Sequence, residues 1–196
     1  MNIKNYLSKL LDFLIKRLIE VGGVLLIVIS ILIFLSLFSY SVEDPNFIYS
    51  NNENINNILG FRGSFISDFL FQSIGLMSFL FSISVFFTGI NIIVKKNLLI
   101  ILDNFFFIIL YSIFGCLFLS VYYESSFWLP INGNGGFVGN LMNDSFLKKI
   151  LIFNNQLSYY ILIIIVLGIF LLSINFKLSF LIRTIKNIFN RNKISI

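Results

Sequence analysis

Four long stretches of the sequence contain no charged residue, and this feature limits the class of fold more than any other. A bilayer core about 30 Å thick requires roughly 20 apolar residues in a helix, and every stretch reaches that length. Four buried helices of a soluble protein are the alternative, but such helices usually retain a polar face, and only 12% of this chain is charged. We therefore predict an all-α integral membrane protein, a four-transmembrane-helix bundle with spans at 21–41, 69–94, 104–123 and 157–176.

The distribution of Lys and Arg predicts the orientation of the bundle, because basic residues resist translocation across a membrane. Of the fourteen basic residues, eleven lie in the N-terminal tail, the loop between spans two and three, or the C-terminal tail. The other two loops carry more acidic than basic residues. We therefore expect both termini to face the cytoplasm.

The segments that flank the four spans have the pattern of amphipathic helices. Residues 1–20 carry apolar side chains at helical spacing, which predicts a cytoplasmic amphipathic N-terminal helix on the inner leaflet. Residues 177–196 repeat the pattern with five basic residues and no acidic one. We expect this basic amphipathic tail to favour anionic lipids at the cytoplasmic face of the bilayer. The domain organisation predicted is thus 1–20, the four-span domain 21–176, and 177–196.

The residue types needed for catalysis are largely missing from the sequence. There is no histidine, Cys116 is the single cysteine, and no Gly-Lys-Ser or Gly-Lys-Thr ends a glycine-rich loop. The glycines from Gly133 to Gly139 suggest a dinucleotide loop only superficially, because no parallel strand unit surrounds them. We predict a turn or a re-entrant loop within 129–140, and no catalytic residue, cofactor or metal. The chain is expected not to be an enzyme.

Polar residues within or beside the spans leave a second interpretation open. A small polytopic channel or transporter subunit would need a polar path, and only Gln72, Asn91 and scattered serines offer one. Asp68 and Asp103 lie at span edges, where interfacial water can solvate them. Small residues at Ser112, Cys116 and Ser120 recur every four positions, which favours close helix contact.

Motifs around the first two spans carry a resemblance to a known family. After span one the chain has the sequence Ser-Tyr-Ser-x-x-Asp-Pro, and span two is preceded by Asn-x-x-Gly-x-x-Gly, an Asp and Phe-x-x-x-Gly. Together with a later Pro and glycine cluster, this resembles the N-terminal four-span (4TM) region of the FtsK/SpoIIIE family of DNA translocases. The residues that carry the resemblance are Ser39, Tyr40, Ser41, Asp44, Pro45, Asn57, Gly60, Gly63, Asp68, Phe71, Gly75, Pro130, Gly135, Gly136 and Gly139.

Turn chemistry alone gives these motif residues structural roles. Asp44-Pro45 favours a turn, Gly60 and Gly63 permit close backbone approach, and Asp68 complements the dipole of the helix that follows. A docking epitope for a membrane or periplasmic partner would use the same residues, and both interpretations stay open here.

The resemblance implies a function at the site of cell division. Family members use this region to anchor a RecA-like motor at the division septum in the bacterial cytoplasmic (inner) membrane, and to assemble division-machinery membrane proteins. We accordingly expect a multi-pass, septum-targeting anchor of chromosome partition that forms a homo-oligomer. DNA and ATP are expected as partners only through a motor domain, which these 196 residues do not include.

Overall fold

Helices account for all the regular secondary structure in the part of the chain that the structure describes. The computed structural model describes residues 3–45, 55–125, 128–145 and 154–175. Its helices are α1 (Ile3–Phe38), α2 (Gly60–Ile74), α3 (Met77–Lys95), α4 (Ile100–Tyr122), α5 (Gly136–Asn143) and α6 (Asn155–Ser173). Four of them contain segments long and apolar enough to cross a membrane: Leu7–Phe38, Met77–Lys95, Ile100–Tyr122 and Asn155–Ser173. The predicted all-α four-span bundle is confirmed.

Helix α1 is longer than the predicted first span. It runs without a break from Ile3 to Phe38, so the predicted N-terminal helix 1–20 and span 21–41 form one element. Its apolar part, Leu7–Phe38, is about 48 Å long at 1.5 Å per residue, whereas the hydrocarbon core is about 30 Å thick. The surface position proposed for residues 1–20 stays a prediction. The predicted tail 177–196 lies outside the described residues.

The predicted second span 69–94 differs from the structure, because Gly75 divides it into two helices. Gly75 has φ 56° and ψ −142°, a combination that essentially only glycine adopts. Residues 69–74 therefore end α2, and the apolar helix that can cross the membrane begins at Met77. The uncharged run extends over both helices, so counting charges alone could not locate this break.

The spans pack through one close backbone approach and one aromatic cluster. At Gly23 and Gly89, helices α1 and α3 come so close that an added Cβ on Gly89 would lie 2.7 Å from the carbonyl oxygen of Gly23. Helices α4 and α6 meet where the rings of Tyr111 and Phe170 pack edge to face, 5.6 Å apart. Tyr111 belongs to the main core cluster, together with Met77, Ile108, Cys116 and Val166.

Polar contacts join α1, α3, α4 and α6 at one end of the bundle, which we call the terminus face (residues 16–20, 91–104 and 173–175). Glu20 of α1 forms an ion pair with Lys96, with 3.0 Å between Oε1 and Nζ. Asn175 accepts a hydrogen bond from Lys95 (3.0 Å) and donates one to the side-chain oxygen of Asn104 (2.7 Å). The turn between α3 and α4 is thereby tied to α1 and to the end of α6.

Candidate functional site: the loop face of the bundle

The family-like residues lie at the opposite end of the bundle from the terminus face. We call this end the loop face and define it as residues 39–45, 55–76, 123–125 and 128–145. It contains the chain that leaves α1, the whole of α2, the turn into α3, and the segment that carries α5. All fifteen residues that carry the family resemblance belong to it.

Asp44 fixes the first part of the loop face. Its carboxylate is buried and accepts hydrogen bonds from the backbone N–H groups of Asn56 (2.7 Å) and Asn57 (2.9 Å). The backbone N–H of Asp44 donates to the carbonyl oxygen of Ser41 (3.3 Å), which closes a turn. The next residue, Pro45, accepts from the hydroxyl of Ser64 (2.6 Å). Asp44 therefore holds together two segments that are separated by residues 46–54.

Asn57 joins this loop to the last turn of α1. Its side-chain amide donates to the carbonyl oxygens of Ser36 (2.9 Å) and Ser39 (3.3 Å), and its Oδ1 accepts from the N–H of Leu59 (3.1 Å). The hydroxyl of Ser39 accepts from the N–H of Ile58 (3.1 Å). Because the last carbonyls of a helix lack intrahelical partners, Asn57 satisfies groups that α1 leaves open.

The two glycines that follow Asn57 have different roles. Gly63 is buried, and a Cβ at this position would collide with the side chains of Asn57 and Leu59. Its carbonyl oxygen also accepts from the hydroxyl of Ser36. Gly60 has φ 65°, which favours glycine at the start of α2. Close approach is therefore the constraint at Gly63, and backbone conformation is the constraint at Gly60.

Asp68 lies in the middle of α2 and not in its opening turn, so the predicted role at the helix dipole is wrong. With Tyr40 it forms a partly buried polar contact between α2 and the chain that leaves α1. The Tyr40 hydroxyl donates to Oδ1 of Asp68 (3.3 Å), and Gln72 donates to the same oxygen (3.4 Å). Burial raises the pKa of Asp68 above its usual range, while the hydrogen bonds from Gln72 and Tyr40 oppose that shift. The ring of Phe71 lies 4.9 Å from that of Tyr40 and is buried against Leu37.

Gly75 is the point where the later glycine cluster meets α2 and α3. The backbone N–H of Leu76 donates to the carbonyl oxygen of Asn134 (2.9 Å). A Cβ on Gly75 would collide with that carbonyl group, and one on Gly136 would lie 2.5 Å from the N of Gly75. Gly136 itself has φ 64°. The break between α2 and α3 is thus filled by backbone from a segment about sixty residues further along the chain.

Gly135 and Gly139 place helix α5 against the last turns of α4. A Cβ on either glycine would lie 2.6 Å from the carbonyl oxygen of Cys116, and close to the side chain of Ser120. Pro130 lies in the exposed turn before this segment, and the neighbouring Leu129 is buried beside Leu37 and Phe71. The segment 129–140 is therefore packed along α4 rather than extended away from the bundle.

A chain of side-chain amides crosses the loop face. Asn132 donates to Oε1 of Gln72 (2.8 Å), and Asn140 donates to the carbonyl oxygen of Asn132 (3.2 Å). The contact between Ser120 and Asn140 is longer, at 3.5 Å. Gln72 also reaches Asp68, so the chain connects α2 with α5 and α4. Sequence reasoning did not identify Ser36, Asn132 or Asn140, because Asn and Ser in loops occur too commonly to indicate a partner.

The geometry of the loop face provides fixed structure and no evident reaction centre. Among the residues that the structure describes, no group of three or more Asp, Glu or Cys side chains is placed to hold a metal ion. Asp44 is held by two backbone N–H groups, and Asp68 by Tyr40 and Gln72. These carboxylates therefore stabilise turns and helix contacts.

Comparison with known proteins identifies close similarity to one family. Residues 15–186 match the family model described as the 4TM region of DNA translocase FtsK/SpoIIIE. A DNA translocase FtsK from Rickettsia bellii (strain RML369-C) is 32% identical over 139 residues, which are 70% of this chain and 17% of that protein. Another from Rickettsia prowazekii (strain Madrid E) is 38% identical over 72 residues, 37% of this chain and 10% of that protein. The matched part is thus a small fraction of each relative's length. No solved structure matches the chain.

Proposed function

The chain belongs to the family defined by the 4TM region of DNA translocase FtsK/SpoIIIE, and from this premise we propose that it is a septum-targeting membrane anchor. It would serve a DNA translocase of cell division and chromosome partition. The 4TM region is a non-catalytic module of such translocases. DNA and ATP would be engaged by a motor segment, and no Walker A sequence occurs among these 196 residues.

One structural observation carries the proposal beyond the family match. Motif segments that are far apart in the sequence meet on the loop face through direct contacts. Examples are the hydrogen bonds from the backbone N–H of Asn57 to the carboxylate of Asp44 and from the N–H of Leu76 to the carbonyl oxygen of Asn134. Contacts of this kind make the loop face a shaped surface, which a membrane partner in the division machinery could recognise. We propose that the loop face is the surface for such partners.

The mechanism of an anchor is confinement. A motor tied to the septal membrane meets its partners at a higher effective concentration than a motor free in the cytoplasm. A homo-oligomer of the four-span domain would add a defined spacing between motors, and we include such self-association in the proposal. Cross-linking of the full chain in membranes, compared with the same chain diluted in detergent, tests it.

The orientation proposed here places both termini in the cytoplasm and the loop face at the side of the cytoplasmic membrane that faces away from the cytoplasm. The terminus face carries the basic residues Arg17, Lys95 and Lys96. The loop face carries Asp44, Asp68 and Glu124, and Arg62 is the single basic residue among its described residues. This distribution supports the orientation, because cytoplasmic segments are enriched in Lys and Arg.

The channel or transporter interpretation is weakened by the contacts of its candidate polar residues. Gln72 lies outside the crossing helices and is bound by Asn132, while Asn91 donates to the carbonyl oxygen of Ile174 (3.1 Å). Polar groups that bond to one another stabilise helix packing and do not offer open sites along a path. The anchor is therefore the better-supported function.

Septal targeting is tested by the position of a fluorescent fusion to the C-terminus, expressed in the native host beside a division marker. We expect enrichment at mid-cell, together with cytoplasmic accessibility of the fused domain to a protease added to inverted vesicles. An unrelated four-span protein with the same fusion is the control for general membrane signal. A uniform membrane distribution equal to that control would refute septal targeting by residues 1–196.

A further inference from the structure

Helix α2 has an inverted distribution of polar and apolar side chains. Its inward face carries Ser64, Ser67 and Asp68, which are buried against the rest of the protein. Its outward face carries Phe61 (53% exposed), Phe65 (37%) and Phe69 (63%), which recur every four residues along one side of the helix. A helix next to water places its polar side outward, so the outward face of α2 requires apolar surroundings.

An open groove lies between this helix and α1. It has a volume of about 360 Å³ and an almost entirely apolar lining of Ile29, Leu32, Ile33, Leu59, Gly63, Ile66 and the stem of Arg62. At about 30 Å³ for a group the size of a water molecule, it has room for roughly twelve methylene-sized groups. The groove is therefore large enough for a substantial part of an acyl chain.

The groove reaches about the depth of one leaflet below the end of α1. Its deepest lining residue, Ile29, lies nine residues before the end of α1 at Phe38, or about 13 Å along the helix axis. Half of a hydrocarbon core about 30 Å thick is about 15 Å. The exposed apolar face of α1, which includes Leu32 and Leu35, continues this lining toward the bilayer.

A cation, Arg62, lies at the end of the groove nearest the end of α1. Arg62 is exposed and adjoins Gly63, whose carbonyl oxygen contacts Ser36 in the last turn of α1. Within the described residues, the two ion pairs join Glu20 to Arg17 and to Lys96, and Arg62 takes part in neither. A guanidinium in this position matches a phosphodiester, because its planar N–H groups can donate two parallel hydrogen bonds to phosphate oxygens.

We propose that the groove between α1 and α2 binds one glycerophospholipid of the leaflet on the loop-face side. Its acyl chain occupies the apolar lining and its phosphodiester is held by Arg62. The apolar face of α2 lies in the same leaflet and separates the acyl chain from water. This site requires only that the bundle crosses a membrane, and it is independent of septal targeting.

The test uses the full chain purified in detergent and measures retained lipid by native mass spectrometry. Phosphatidylglycerol and a diacylglycerol with the same acyl chains are added separately, because the diacylglycerol lacks the phosphate. We expect wild type to retain the phospholipid about tenfold more strongly than the diacylglycerol, as fits one charge-assisted contact. Arg62→Gln should abolish that preference, and Arg62→Lys should keep part of it.

Two further variants test the apolar part of the site. Ile66→Trp fills the groove and should lower retention of both lipids, whereas Phe69→Trp on the outward face of the same helix should change neither. Helical content and unfolding temperature of each variant establish that it is folded. Equal retention in wild type, Arg62→Gln and Ile66→Trp would overturn the proposal. A shift in dimer fraction with unchanged lipid retention would also overturn it, since the groove would then be an interface between copies.

Discussion

The side-chain amide of Asn57 donates to the backbone carbonyl of Ser36 at 2.9 Å, although 21 residues of sequence separate them. Ser36 lies in the last turn of α1, where carbonyl groups have no partner within the helix. Asn57 thus completes the end of the first span while its own backbone is held by Asp44. The end of a membrane helix and the loop that follows it are stabilised by the same residue.

Replacing Asn57 by alanine should lower the free energy of unfolding by about 1 to 3 kcal/mol. The substitution removes the donor to Ser36 and Ser39 and leaves buried carbonyl groups without a partner. Thermal unfolding of the full chain in detergent measures the effect. Asn56→Ala is the matched control, because the Asn56 side chain is exposed and only its backbone N–H contacts Asp44. Equal losses in the two variants would contradict the role given to the Asn57 side chain.

Gly75→Ala should lower the free energy of unfolding by more than Asn57→Ala does, and by at least about 2 kcal/mol. Alanine at φ 56° and ψ −142° is strained, and its Cβ would collide with the carbonyl group of Asn134. Gly168→Ala in α6 is the control, since no atom lies within 4 Å of the added methyl group and alanine favours a helix by up to about 1 kcal/mol. Unfolding temperatures of both variants in one detergent decide the comparison. A Gly75→Ala protein as stable as wild type would show that the break after α2 does not depend on glycine.

Asp68 should make stability depend on pH in the acidic range. Because burial raises its pKa in the folded state, the folded protein binds a proton more tightly than the unfolded chain does. Stability should therefore fall as pH rises from the ordinary value of 3.8 to the raised pKa, and this part of the slope should be absent in Asp68→Asn.

Tyr40→Phe is the matched variant for this measurement. The Tyr40 hydroxyl donates to Asp68 and opposes the rise in its pKa, so removing the hydroxyl should extend the slope to higher pH. Unfolding temperature against pH, measured for the three proteins in one detergent, separates these cases. Parallel curves for wild type and Asp68→Asn would show that Asp68 does not titrate in the way described.

The length of the uncharged stretches was enough to predict the number of spans. A helix in lipid must be apolar over its whole crossing length and must satisfy its backbone hydrogen bonds within itself, so the constraint can be recognised in each stretch separately. It could not locate the break at Gly75, since a glycine within an apolar run is common and its conformation depends on Asn134. The family-like residues were found from the resemblance of their motifs to a known family, but their partners in the structure were not. Ser36, Asn132 and Asn140 become identifiable only when tertiary structure places them beside Asn57 and Gln72.

The small residues of α4 are a second case in which the sequence predicted a contact but not its partner. Their spacing predicts a close contact along Ser112, Cys116 and Ser120. In the structure, Cys116 and Ser120 contact Gly135, which precedes the eight-residue helix α5, and Gly139 in the middle of that helix. A short helix without a long apolar pattern gives little signal in a sequence, so the partner of the contact could not be identified.

The contact at Cys116 offers a direct measurement of whether α5 is docked. Cys116 is the single cysteine of the chain, is fully buried, and donates through its thiol to the carbonyl oxygen of Ile74 (3.2 Å). Gly139→Val places a side chain against the Cys116 backbone and should displace α5. If the substitution weakens the docking of α5 by at least about 1.4 kcal/mol, a maleimide reagent should label the thiol at least about tenfold faster than in wild type. Gly168→Val in α6 adds the same side chain at a position where an added Cβ has no neighbouring atom within 4 Å, and should leave the labelling rate near that of wild type. Equal rates in all three proteins would mean that α5 does not protect Cys116.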